Sequence, residues 1–115
     1  MICRVWRGWT TLENAAPYQA LLTGQVMPGI RAMDIPGLLA HQALKREIIG
    51  EDTTPEIEHM TLIWFNTLED VKAFVGDDHA IAHIPDAAKA LLKHWDERVA
   101  HFDVFDDSNR IIAQR

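Results

Sequence analysis

The chain has 115 residues, 48% of them hydrophobic and 24% charged, with a net charge of −6. That is one domain's worth of chain, and it can bury enough surface to fold without metals or disulfides. The acidic balance disfavours nucleic acid, which needs a basic face to displace counterions, and no apolar run approaches the ~20 residues of a membrane helix.

Residues 2–9 are rich in large side chains and predict a first strand, with Ile2, Arg4 and Trp6 on one face and Cys3, Val5, Arg7 and Trp9 on the other. Cys3 is the only cysteine, which excludes an internal disulfide and a thiolate zinc site. The two arginines and two tryptophans of the first ten residues do not suit a signal peptide. The expectation is a reduced, cytoplasmic protein.

Leu12, Ala15, Tyr18, Leu22 and Val26 recur at spacings of three and four, the stripe of an amphipathic helix. Pro17 fits a first turn capped by Asn14, or else kinks a looser turn begun at Thr11. Pro28-Gly29 is expected to end the regular helix, leaving Ile30 to Met33 as a ragged extension, and Pro36-Gly37 is a break. Residues 38–48 and 56–66 predict an antiparallel hairpin across the polar loop 50–55. Thr67 is placed to cap a second helix with Glu69 and Asp70 in its first turn, Val71, Phe74 and Val75 on its apolar face and Gly76 at its end. Residues 77–84 and 85–93 predict two short helical pieces divided by Pro85. Residues 98–105 predict a last strand, and 106–115 a polar tail with the pair Ile111-Ile112.

The order strand, helix, strand, strand, helix, strand over residues 1–105 predicts a single α+β domain with a four-stranded antiparallel sheet. Right-handed crossovers put both helices on one face. In the third strand Met60, Leu62 and Trp64 point one way while Thr61, Ile63 and Phe65 point the other, so both faces are apolar. The face without helices is expected to carry Ile63 and Phe65 beside Val5 or Trp9. Such a patch calls for cover, and a twofold homodimer packing sheet on sheet supplies it.

Several stretches resemble a known family. They are the opening Ile2-Cys3-Arg4-Val5-Trp6-Arg7-Gly8-Trp9-Thr10-Thr11, then Pro28-Gly29-Ile30, Ile35-Pro36-Gly37, Thr61-Leu62-Ile63-Trp64-Phe65 and Leu68-Glu69-Asp70-Val71-Lys72-Ala73-Phe74. Together they resemble the antibiotic-biosynthesis-monooxygenase-like members of the dimeric α/β-barrel superfamily. The resemblance implies a ferredoxin-like βαββαβ protomer, a homodimer with an eight-stranded barrel, and a pocket between sheet and helices. Some such proteins oxidise polycyclic aromatics or quinols with O₂ and no cofactor, and others degrade heme. Trp64 followed by His83 resembles the heme-degrading branch, in which the histidine ligates heme iron. That branch also places an asparagine before an arginine on the first strand, where this chain has Trp6 before Arg7. An indole donates one hydrogen bond and cannot reproduce an amide's donor and acceptor pair. Heme binding stays open; heme turnover by that route loses support.

His79 and His83, four apart, would share a face if their segment is helical. Two imidazoles make a poor metal site, so no metal is expected, and a proton carrier is the better role because imidazole titrates near neutrality. Trp6 and Trp64, with Leu62 on Trp64's face, are expected to face the helices and wall a small aromatic or hydrophobic ligand, unless they are simply core. Arg4 shares Trp6's face and needs either a carboxylate, for which Asp103 is in range, or an anionic ligand. No nucleophile elbow or phosphate-binding glycine loop is present. Two readings follow: a cofactor-independent monooxygenase-like protein acting on a small aromatic or quinol-type substrate, or a non-enzymatic dimeric module that binds a small molecule or heme.

Overall fold

A computed structural model describes residues 1–50, 54–108 and 112. Residues 51–53 of the expected hairpin loop and Ile111 of the expected tail pair lie outside the described residues. The elements in chain order are β1 (Ile2–Thr10), α1 (Leu12–Leu21), a π-helical turn (Leu22–Val26), α2 (Met27–Ala32), β2 (Leu38–Ile48), β3 (Glu56–Phe65), α3 (Leu68–Val75), α4 (Asp86–Lys89), β4 (His94–Trp95) and β5 (Ala100–Asp103). The result is an α+β architecture with a five-stranded antiparallel open sheet, compatible with a ferredoxin-like fold. Among the described residues no helix is long and apolar enough to cross a membrane.

The sheet runs β2-β3-β1, and both β4 and β5 pair with the free side of β1. The single last strand expected at 98–105 is therefore split. Trp95 pairs with Gly8 and His94 with Trp9, so His94 sits on a strand rather than a helix; Ala100 to Asp103 pair with Val5 to Ile2. Between them the chain leaves the sheet edge to pair with residues near 80. Arg98 bridges Ile81, and the Val99 N–H donates to the Ala80 carbonyl at 2.8 Å.

The first helical region takes the second of its two expected starts, at Thr11, and departs from expectation at Pro28. Thr11 is the N-cap, its hydroxyl accepting from the Asn14 N–H at 3.1 Å, so Pro17 lies inside α1 rather than in its first turn. Proline there deprives the Glu13 carbonyl of its donor, and Glu13, Ala16 and Pro17 are all exposed, so water can take the place. Pro28 does not end the helix. The path continues to Ala32, with one wide turn in which the Met27 N–H reaches back to the Leu22 carbonyl. A proline at 28 would collide with the Gly24 carbonyl in a regular α-helix, and widening the preceding turn avoids the collision.

Antiparallel register decides the faces. Ile2, Arg4, Trp6, Gly8 and Thr10 stand opposite Phe65, Ile63, Thr61, His59 and Ile57. Directly opposed residues share a face, so Ile63 and Phe65 lie under the helices with Arg4 and Trp6, contrary to the expected parity. Phe65 is wholly buried against Val71 of α3, with Ile2, Ile30 and Leu38 around it, while Tyr18, Leu22, Ala88 and Leu92 form a second cluster with Trp6 and Trp95. Both clusters lie on the helix face. Helix α3 begins at Thr67 and ends at Gly76, as expected; Gly76 has φ 96° and caps through the Lys72 carbonyl.

The open face carries Cys3, Val5, Arg7 and Trp9 with Glu58, Met60, Leu62 and Trp64. At one end its polar groups are mutually satisfied. Glu58, 5% exposed, accepts from Arg46 at 2.7 Å, and Arg7 pairs with Asp96 at 2.9 Å. At the other end Val5, Met60, Leu62 and Trp64 are half-buried, and neighbouring Leu44 and Phe102 are exposed.

Candidate functional site

A cavity of about 360 Å³ opens between the two core clusters, under the helices. Its floor is the sheet: Arg4 and Trp6 from β1, Thr61 and Ile63 from β3. Tyr18 of α1 forms one wall together with Leu22, Val26, Met27 and Ile30. The wide turn is what brings Leu22 and Met27, five residues apart, to the same side of one helix. Phe74 and Val75 of α3 make the opposite wall, and residues 82–85 with Ala88 close the remaining side.

Each polar group in this mainly apolar lining has an identifiable setting. The Trp6 indole N–H donates to the Asp96 carbonyl at 2.7 Å, which fixes the ring beside the cavity. Gly8, two residues on, makes room for that ring. A Cβ there would meet Trp6 Cη2 at 3.0 Å and Leu92 Cδ2 at 2.9 Å. Tyr18 is 1% exposed, and burial pushes its phenol up to about 12, so it stays a neutral hydroxyl. His83 is exposed and stands at the rim.

Arg4 is the unusual group. It is 7% exposed, and burial lowers its guanidinium from the ordinary value. One terminal nitrogen donates to the His79 carbonyl at 2.6 Å and meets His101 Nε2 at 3.0 Å, while the other reaches the Ile81 carbonyl at 3.4 Å. Asp103, expected as its counterion, stands opposite Ile2 and is exposed. Among the described residues no carboxylate pairs with Arg4. Beside it, burial first, then the Arg4 charge and His79, push the His101 imidazole down to about 4. His101 is therefore neutral at pH 7, with Nε2 as the acceptor of the Arg4 hydrogen bond.

Of the residues singled out in the sequence, Arg4, Trp6 and His83 come together around this cavity. Trp64 and Leu62 do not. They stand on the open face, where Trp64 opposes Cys3 and Ala40 and its indole donates to Gln42 at 3.1 Å. The tryptophan–histidine pair of the heme-degrading pattern is thus separated by the sheet, and His83 with Trp64 beside a heme does not fit this arrangement. His79 and His83 share no helix face, because residues 77–85 are irregular. His79 is outside the lining and contributes its carbonyl to Arg4, its ring lying edge-on to His101 at 4.9 Å. Sequence reasoning passed over Tyr18 and Phe74 as walls, though both lie on recognised apolar stripes. It also passed over His101, whose pairing with Arg4 follows only from the register of β1 and β5.

Comparison with known proteins gives no matching family model and no matching curated protein. The site's own geometry therefore carries the functional reading.

Proposed function

We propose that the chain binds a small aromatic or quinol-type molecule in this cavity and acts on it as a cofactor-independent monooxygenase-like protein. The observation that carries the reading is an apolar cavity of about 360 Å³ walled by the rings of Trp6, Tyr18 and Phe74, with the imidazole of His83 at its rim. Flat apolar walls with few polar groups suit a planar aromatic ligand. In the proposed reaction His83 removes a proton from an activated CH₂ of the substrate, leaving an electron-rich anion. Dioxygen takes the electrons. One of its atoms becomes the new C=O oxygen and the other leaves as water, so that an anthrone would yield an anthraquinone. Protein groups need only bind, orient and move one proton.

The proposal includes a second copy of the chain packed on the open face. The half-buried Val5, Met60, Leu62 and Trp64 beside exposed Leu44 and Phe102 support it, since together they make an apolar end of the open face that a second copy would cover.

Oxygen uptake over a panel of anthrones and quinols is the test. Turnover above buffer that falls about 10²–10⁴-fold in His83→Ala is the expected result for a lost general base. A ligand that raises the melting temperature with no oxygen uptake would instead favour binding without turnover, since binding only the native state stabilises it. That second reading rests on the same cavity, whose mainly apolar lining binds without needing a base.

A further inference from the structure

A buried cation normally has a counterion, because hydrogen bonds from neutral acceptors satisfy its N–H groups without cancelling its charge. Arg4 has hydrogen bonds and, among the described residues, no counterion. Its three contacts are the carbonyls of His79 and Ile81 and the ring of His101, all neutral. Those contacts leave part of the five-donor fork unused. The side chain belongs to the cavity lining, and there the only other buried titratable group is Tyr18, whose phenol keeps its proton. Tyr18's hydroxyl finds no hydrogen-bond partner among the described residues, and no fully buried polar side-chain atom among them lacks one. The hydroxyl therefore keeps some contact with solvent. The floor holds a positive charge that no carboxylate among the described residues pairs, while the rest of the lining is mainly apolar.

We infer that Arg4 forms an anion subsite at the base of the cavity, and that the ligand is a planar aromatic carrying a negatively charged oxygen. The guanidinium supplies the charge, while the rings of Trp6, Tyr18 and Phe74 enclose the apolar body. A carboxylate and an ionised phenol or enol share this chemistry. The inference rests on the aromatic-binding reading above and narrows its substrate class. Within that reading, Arg4 would hold the oxyanion that forms when the substrate loses its proton.

Two probes test the subsite on the intact protein. Calorimetric titration compares 1-naphthoate with its uncharged isostere 1-naphthamide. Absorbance titration follows the ionisation of 4-nitrophenol with and without saturating protein. The subsite predicts that naphthoate binds at least tenfold more tightly than the amide, that nitrophenol ionises about one pH unit lower when bound, or both. A preference in one arm alone identifies which oxygen anion is taken. Arg4→Met, which removes a buried charge and keeps the volume, abolishes either preference. If that variant fails to fold, the two probe comparisons on the native chain still decide. Equal binding of naphthoate and amide with an unshifted nitrophenol overturns the anion subsite and leaves the aromatic cavity standing. No binding of any probe overturns both.

Discussion

The Arg4–His101 contact has a consequence that can be measured one residue at a time. His101 is pushed down to about 4, first by burial and then by the Arg4 charge and His79, whereas an unfolded histidine titrates near the ordinary value of 6.5. Between those two values the unfolded chain holds a proton that the folded chain refuses. Stability therefore rises with pH across this window, is fully present above about 6.5, and is lost as the pH falls toward 4. His59 and His41, both lowered chiefly by burial, act in the same direction. Proton NMR of the imidazole rings should find His101 still neutral at pH 5.5, and thermal melts should show the midpoint falling below pH 6.5. A His101 titration near 6.5 would contradict the packing described for Arg4. Arg4 itself illustrates how far single residues could be read. Its placement on Trp6's face was legible from alternation along the strand. Its lack of a carboxylate was not, because Asp103 is on the right strand and face and still makes no contact.

At the level of elements, α3 joins legible sequence to the site most directly. Thr67 accepts from the Asp70 N–H at 3.2 Å and donates to the Asp70 carboxylate at 3.0 Å, and six residues after Asp70 the helix stops at Gly76. Asp70 also packs over Gly37, where φ is 81° and a Cβ would collide with the carboxylate. One cap thus ties the helix start to the start of β2. Thr67→Ala should cost about 1 kcal/mol in chemical denaturation, the usual loss for an N-cap hydroxyl. It should also weaken ligand affinity, because Phe74 and Val75 hang from the same helix into the cavity. The caps, the hairpin strands and the glycine stop were readable because they depend on neighbours within a few residues. The continuation of the helix through Pro28 was misread for the opposite reason. Burial of Tyr18, Leu22 and Met27 against the sheet outweighs a local proline penalty of about 3 kcal/mol per interior site.

For the whole molecule the proposed pairing rests on the apolar end of the open sheet face. Static light scattering at micromolar concentration should give twice the 13.1 kDa chain mass, and Leu62→Glu should reduce it to one chain, since a carboxylate there would be buried unpaired in the proposed interface. A wild-type monomer would remove the pairing from the proposal and leave the cavity reading intact, because the cavity is lined from one chain alone.

Periodicity, turn residues and caps in the 115 residues were enough for an α+β chain with the strand–helix–strand–strand–helix–strand order, and for placing Arg4 and Trp6 on one face. These properties are local, set by alternation, by the 3.6-residue repeat and by hydrogen bonds between near neighbours. The site was settled elsewhere. Opposing Arg4 to Ile63 and to His101 is a matter of register between strands far apart in sequence, and a slip of one residue exchanges the faces. That is why Trp64 and Leu62, expected in the pocket, stand on the open face. Only long-range packing left a charged Arg4 in a cavity with neutral neighbours.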